Sequence, residues 1–125
     1  TGNALSIAGG DLTEILAASK EITGDRLDLL GMDACLMANW EIARTAAPYS
    51  KIYVASQATE SLLGWAYDTS YADLLADPEM SPAELGAVFA QRFNEIPDAT
   101  QLRCAPRGAS RFYALTDSRP RGTTE

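Results

Sequence analysis

The chain has 125 residues, of which 46 % are hydrophobic and 22 % are charged, and this balance excludes disorder along its whole length. The formal net charge is −7, and residues 1–100 hold 15 acidic against 5 basic groups, so they repel phosphate backbones and predict no binding to nucleic acid. No apolar run approaches the ~20 residues that cross a bilayer, which predicts no membrane helix.

The first half of the chain predicts a helix, a strand and a second helix. Asp11 follows two glycines and has a glutamate three residues on, the spacing of a helix cap with a capping box. This helix is expected to stop at Gly24. Leu27–Met32 is short and mostly apolar, which is typical of a strand buried on both faces. Residues 36–47 are predicted to form the second helix, which a proline ends.

The second half predicts a strand, two helices and a further strand. Residues 51–56 are rich in β-branched and aromatic side chains, which favour a strand. A short helix is expected around Tyr71, and Ser81 with Glu84 marks the start of a longer one. The buried stripe of that longer helix is expected to contain Leu85, Val88, Phe89, Phe93 and Ile96.

The order of these elements predicts an α/β fold. A loop is expected over residues 97–110 and a last strand over residues 111–116. Alternating helices and strands favour a layered fold with a mostly parallel sheet. We expect one domain over residues 1–116 and a disordered tail over residues 117–125.

The segment that carries chemical information lies where the first strand ends. There Asp33-Ala34-Cys35 follows the strand directly, and ligands of open α/β sheets bind beyond the carboxyl ends of strands. A thiol close to a helix N-terminus is favoured as the thiolate, and the N–H groups there can bind an oxyanion. Two plainer interpretations stay open, since Cys35 also fits a buried core thiol and Asp33 also fits a helix cap.

Two segments resemble the clostripain family of cysteine peptidases. LDLLGMDACLMANWEIA is similar to the family's catalytic-cysteine segment, in which an apolar strand ends in Asp-Ala-Cys-Leu-Met. KIYVASQATESLLGWAYD is similar to the next strand, an Ala-Ser-x-x-x-Glu turn and a Gly-Trp-x-Tyr segment. The resemblance covers about residues 10–116. It implies the caspase–gingipain fold, an α/β/α sandwich, present here as a partial domain that carries the nucleophile.

The resemblance also implies a function and a set of site residues. It predicts a cysteine endopeptidase that cleaves peptide or protein substrates after Arg or Lys, with Cys35 as the nucleophile. Asp33 matches the acidic residue at the base of the family's S1 pocket. Two further S1 candidates, Ser56 and Glu60, lie where the family's substrate-binding strand and loop fall, with an ordinary polar loop as the alternative. Trp65 and Tyr67 are candidate walls of the S1 pocket, with packing as the alternative.

The chain has no histidine, although the family's catalytic base is a histidine that precedes the cysteine. One explanation is that the base lies on an upstream chain of the same precursor, in which case this chain is inactive by itself. The alternative is a catalytically inactive member that serves as a binding or scaffolding module. An unrelated α/β domain with a core cysteine is a third, weaker interpretation.

Cofactors and location are expected from the resemblance alone. Without histidine and with two cysteines, no metal site is predicted. Some family members need calcium, but Asp68, Asp73 and Asp77 lack the spacing of an EF-hand loop, so no cofactor is expected, with calcium as the alternative. Cys104 has no predicted role. Members of the family are largely exported, which implies an extracellular or cell-envelope setting for this protein.

Overall fold

The computed structural model describes residues 5–60, 63–95 and 112–116, and these form four helices and three strands. In chain order the elements are α1 (Asp11–Thr23), β1 (Leu27–Met32), α2 (Trp40–Ala46), β2 (Ser50–Ser56), α3 (Tyr67–Ala76), α4 (Pro82–Glu95) and β3 (Phe112–Thr116). Among these helices, none is long and apolar enough to cross a membrane. The predicted loop over residues 97–110 and the predicted tail lie outside the described residues.

The strands form one sheet in the order β1-β2-β3. β1 and β2 are parallel neighbours, in a register that pairs Leu27 with Ser50 and Met32 with Ala55. The expectation of parallel strands is therefore confirmed for this pair. β3 joins the other side of β2 in the antiparallel direction, with Phe112 opposite Ser56. Because β1 and β2 are parallel, their carboxyl ends lie at the same edge of the sheet, and both are followed by candidate site residues.

Helices cover both faces of this sheet, so the α/β fold class with its sandwich layering is confirmed. One buried cluster lies between the sheet and α1 and α2, and it contains Leu12, Leu16, Ala38, Ile42, Ala46, Tyr53 and Ala55. The other lies between the sheet and α4, and it contains Val54, Trp65, Phe89 and Phe93. α3 packs against α4 in the same layer.

β1 is half-buried rather than buried, which differs from the prediction. Leu29, Leu30 and Met32 pack against the two clusters, but none of the strand's residues is fully buried. The outer edge of β1 has no neighbouring strand within the described part of the chain. Side chains on such an edge strand lack cover from one side, which explains their partial exposure.

The two predicted capping boxes have opposite outcomes. At α4, Ser81 and Glu84 bind each other's backbone N–H groups at 2.8 and 3.3 Å, as predicted. At α1 the prediction is wrong, because Asp11 is the first helical residue and Gly10 occupies the cap position with φ of 94°. The Asp11 carboxylate instead accepts the Ser6 N–H at 2.7 Å, so it orders the preceding turn.

Candidate active site

Cys35 lies in a loop beyond the carboxyl end of β1. The helix predicted from residue 36 begins only at Trp40, and Asn39 caps it by accepting the Ile42 N–H at 3.0 Å. The prediction that places the thiol at a helix N-terminus is therefore wrong. The interpretation of Asp33 as the cap of this helix is wrong for the same reason.

Backbone hydrogen bonds to the segment after β2 explain why the helix starts late. Leu36 has φ of 64°, in the left-handed region that non-glycine residues seldom adopt. This conformation turns the chain so that the Leu36 N–H donates to the Ala58 carbonyl at 3.1 Å. The Ala38 N–H then donates to the Ser56 carbonyl at 2.9 Å. The loop that contains Cys35 is thus attached to the loop that follows the neighbouring strand.

The Cys35 thiol is half-buried and lies at the edge of the sheet, which is not the position of a core thiol. Its Sγ accepts the backbone N–H of Glu60 at 3.2 Å. The Cys35 backbone N–H makes no hydrogen bond within the described part of the chain. A half-exposed sulfur beside an unused N–H donor is an arrangement that suits attack on a carbonyl and binding of the resulting oxyanion.

The exposed Asp33 carboxylate joins the two sequence segments that carry the resemblance. Its Oδ2 accepts the backbone N–H of Trp65 at 3.2 Å and the hydroxyl of Tyr67 at 3.0 Å. A carboxylate has about four acceptor positions, so these two bonds leave capacity for a further donor. Glycine at position 64 permits this approach, because a Cβ there would lie 2.8 Å from Oδ2. The φ of 73° at Gly64 favours glycine as well.

The two aromatic candidates lie in different surroundings. Trp65 is 6 % exposed, and its ring packs on Gly31 and against Phe89, so it belongs to the core on the α4 side. Tyr67 is 41 % exposed, and its ring stacks between Trp65 and Tyr71. Burial of its hydroxyl, with a further contribution from Asp33, raises the pKa of Tyr67 to about 12. Tyr67 therefore stays a hydrogen-bond donor at neutral pH.

Glu60 is buried beside Asp33. It is 3 % exposed, and burial raises the pKa of its carboxyl group to about 7. The Trp65 indole opposes this shift and Asp33 adds to it, but burial is the largest cause. Neither carboxylate oxygen has a hydrogen-bond partner of ordinary geometry among the described residues.

Ser56 is at the site but its side chain is fully buried. Its hydroxyl donates to the Ala58 carbonyl at 3.0 Å and accepts the Ala58 N–H at 3.1 Å. In this structure Ser56 stabilises the turn after β2, and its contact with substrate stays a prediction.

The remaining sequence candidates do not join this site. Asp73 binds Arg92 through two hydrogen bonds of 2.7 and 2.8 Å, which tie α3 to α4. Within the described residues, no group of three or more potential metal ligands is found. Cys104 lies outside the described residues.

Several residues that shape the site were missed by the sequence analysis. Gly64 and Gly31 make room for Asp33 and for the Trp65 ring, and Asn39 fixes the start of α2. An asparagine directly before a helical stretch is a recognisable cap signal that was available in the sequence. The loops that follow β1 and β2 also line a cleft, whose residues are Leu36, Ala38, Asn39 and Gln57.

Comparison with known proteins supports the fold. A solved structure described as a B. fragilis cysteine protease superposes with a TM-score of 0.57 at 23 % identity, which shows a shared fold. The alignment covers 74 % of this chain and 33 % of that one, so the chain spans about a third of that structure. No curated protein matches the chain significantly.

A comparison with models of protein families establishes the family of this chain. The model of the clostripain family matches residues 1–116, and the chain therefore belongs to the clostripain family of cysteine peptidases. This membership overturns the interpretation of the chain as an unrelated α/β domain.

Proposed function

We propose that the chain is the nucleophile-bearing part of a cysteine endopeptidase that cleaves after Arg or Lys. Cys35 is the nucleophile, Asp33 binds the basic P1 side chain, and the general base is a histidine on an upstream chain of the same precursor. Membership of the clostripain family supports the peptidase assignment. By resemblance we also propose an extracellular or cell-envelope setting.

The observation that carries the specificity is the charge around Asp33. Glu60 lies beside it, and among the described residues neither carboxyl group makes an ion pair. Two neighbouring acidic groups without a cation favour binding of a cationic ligand, and a guanidinium matches a carboxylate bidentately. Asp33 is two residues from Cys35, which is close enough for one substrate residue to reach both.

The reaction follows from the position of the thiol. The upstream histidine takes the thiol proton, and the sulfur then forms a bond to the scissile carbonyl carbon while the carbonyl electron pair moves to oxygen. The Cys35 N–H donates to this oxyanion. Collapse expels the amine, which takes the proton from the histidine, and water then hydrolyses the thioester to release the acid and restore the thiol.

The unpaired edge of β1 supports a position for the upstream chain next to this strand. Within the described residues no strand pairs with this edge, so its backbone groups are available to a further strand. A histidine at the carboxyl end of such a strand would lie at the same edge of the sheet as Cys35.

Substitution of Asp33 in the complete enzyme, with its histidine, tests the proposal. Asp33→Asn keeps the size of the side chain and removes its charge, so kcat/KM for Arg and Lys amide substrates should fall at least ~100-fold. Hydrolysis of substrates with a neutral P1 residue should fall far less. Asp28→Asn is the matched control, since Asp28 lies on β1, the strand that Asp33 follows, and its ion pair is with Lys51.

Two results would contradict the proposal. If the Asp33→Asn enzyme keeps the wild-type preference for Arg over a neutral residue, Asp33 does not select P1. If the complete enzyme shows no hydrolysis that depends on Cys35, the inactive binding module is the better assignment.

A further inference from the structure

Leu36, the residue directly after the thiol, has a side chain that contributes little to the fold. It is 53 % exposed and belongs to neither of the two buried clusters. Its backbone has φ of 64°, a conformation that glycine adopts more easily than leucine. Strained backbone conformations are concentrated at functional sites, so an exposed leucine at this position points to a use for the side chain outside the core.

Leu36 lines a cleft of about 320 Å³ together with Ala38, Asn39 and Gln57. This volume lies at the lower end of the range for ligand pockets, and it accommodates one amino-acid side chain. None of these residues is charged, which favours an uncharged occupant. The Gln57 side chain is exposed and makes no hydrogen bond to another described residue, so its amide is available to a peptide group.

Hydrogen bonds hold the walls of the cleft in place before a substrate binds. The Asn39 side-chain amide donates to the Leu36 carbonyl at 2.9 Å, and the Tyr53 hydroxyl donates to the Met37 carbonyl at 2.8 Å. The Ala38 N–H donates to the last residue of β2 at 2.9 Å. A pre-formed site of this kind binds its ligand without the cost of ordering a loop.

The cleft and Asp33 lie towards different faces of the sheet. Asp33 accepts the Trp65 N–H, and Trp65 belongs to the buried cluster on the α4 side. Ala38 belongs to the cluster under α1 and α2, on the opposite face. Cys35 lies between Asp33 and Ala38 along the chain, so a substrate bond at its sulfur has Asp33 on one side and the cleft on the other.

We propose, on the basis of the function proposed above, that this cleft binds the P1′ side chain of the substrate and selects an uncharged, apolar residue such as leucine. In the proposed reaction the scissile carbonyl oxygen points to the Cys35 N–H, and the carbonyl carbon is joined through Cα to the P1 side chain at Asp33. The scissile nitrogen then lies in the remaining direction, towards Leu36. The Leu36 side chain packs on the P1′ residue, and the Gln57 amide binds the peptide group that follows.

Acyl transfer in the complete enzyme measures binding at P1′ separately from P1. An arginine ester acylates Cys35, as the sulfur bonds to the acyl carbon and the alcohol leaves. An added amino-acid amide then competes with water. Its amine nitrogen bonds to the acyl carbon, the thiolate leaves, and the surplus amine proton passes to the base. Transfer to leucinamide should exceed transfer to glycinamide at least ~5-fold at equal concentration, because the leucine side chain is removed from water in the cleft.

Leu36→Ala tests the wall of the cleft. Alanine has the same backbone restrictions as leucine in kind, and the leucine side chain is largely exposed, so the variant should fold, which its unfolding temperature checks. The preference for leucinamide over glycinamide should fall at least ~3-fold from its wild-type value. Leu75→Ala is the matched control, since this leucine is 81 % exposed on α3, and its ratio should equal that of the wild type. An unchanged ratio in folded Leu36→Ala would overturn the proposal.

Gln57→Glu tests the same site if Leu36→Ala does not fold. This substitution keeps the size of an exposed side chain and adds a negative charge to the cleft. Transfer to argininamide relative to leucinamide should rise at least ~3-fold, because a cation at P1′ then meets an opposite charge. A ratio equal to that of the wild type would overturn the proposal.

Three outcomes separate this inference from the proposed function. If Asp33→Asn abolishes the preference for arginine but the wild type transfers equally to both amides, the proposed function stands and the P1′ site fails. If Leu36→Ala changes the preference for the P2 residue and leaves the transfer ratio unchanged, the cleft binds the acyl part of the substrate, and the P1′ assignment is wrong. If Cys35 forms no thioester with the arginine ester, the proposed function fails and this inference fails with it.

Discussion

At the residue scale, Tyr67 fixes the direction of the Asp33 carboxylate. Its hydroxyl donates to Oδ2 from a ring that is held between Trp65 and Tyr71. A hydroxyl that stays protonated to about pH 12 is a constant donor over the range in which a peptidase works. In the proposed function, Tyr67 therefore acts on the substrate through Asp33, as a positioning residue.

Tyr67→Phe keeps the stacked ring and removes only this donor. We expect kcat/KM for basic substrates to fall about 5- to 20-fold, mainly through KM, because a hydrogen bond to a charged group is worth about 1–2 kcal/mol at a partly exposed site. Steady-state kinetics of the complete enzyme measure the effect. Tyr71→Phe is the control, and an equal loss in both variants would show that Asp33 does not depend on the Tyr67 hydroxyl.

Glu60 gives the fold a pH dependence of its own. Its pKa is about 7 in the folded chain and about 4.5 in the unfolded chain, so between these values the folded state binds more protons. The free energy of unfolding should therefore decrease as pH rises from about 4.5 to 7, by roughly 1–3 kcal/mol, and then stay level. Urea unfolding of wild type and Glu60→Gln across this range measures it. A variant with the same pH dependence as wild type would assign the effect to other groups.

At the scale of an element, the loop between β1 and α2 decides the position of the thiol. The left-handed conformation at Leu36 directs two backbone N–H groups to the Ser56–Ala58 turn, and α2 is thereby delayed to Trp40. The cost of this conformation for a non-glycine residue is about 1–2 kcal/mol. The bonds between the two loops offset that cost.

Substitutions at Leu36 test the backbone conformation, since the side chain is half-exposed and contributes little burial. Leu36→Gly should be close to neutral, because the relief of strain is offset by the flexibility of glycine in the unfolded chain. Leu36→Val should destabilise by about 1 kcal/mol or more, since β-branched residues disfavour this region. Urea unfolding compares the two, and equal stability of both variants would contradict the left-handed assignment.

At the scale of the whole molecule, the sheet brings the candidate residues together. The parallel pairing of β1 with β2 places Asp33 and Cys35 next to Glu60, and the core on the α4 side holds the segment from Gly64 to Tyr67 against Asp33. This chain has no histidine, so the proposed base comes from outside it.

This chain alone should therefore hydrolyse an Arg-containing amide substrate negligibly. General-base catalysis contributes about 10²- to 10⁴-fold, and an isolated thiol has only water as its proton acceptor. Turnover by the purified chain, compared with a Cys35→Ser variant, measures this. Clear turnover that disappears in Cys35→Ser would refute a mechanism that depends on an upstream histidine.

The sequence was sufficient where the determining interactions are local. The strand at Leu27–Met32 and the capping box at Ser81 and Glu84 depend on neighbours within a few residues, and both were predicted correctly. The Asp-Ala-Cys-Leu-Met motif likewise identified the segment and, through it, the family that the sequence model confirms. The cap at Asp11 is an exception, because that carboxylate found the Ser6 N–H instead.

Tertiary structure decided the features that depend on distant partners. The hydrogen bond between Asp33 and Tyr67 joins residues 34 positions apart in the sequence, and the bond from the Glu60 N–H to Cys35 joins residues 25 apart. Local sequence patterns carry no information over such separations. The start of α2 belongs to the same class, since hydrogen bonds to the loop after β2 override the helix propensity of residues 36–39. Composition and periodicity thus determined the layers of the fold, and the order of a few residues determined the motif. The burial of Glu60 and the surroundings of Asp33 depend instead on packing between segments that meet only when the sheet forms.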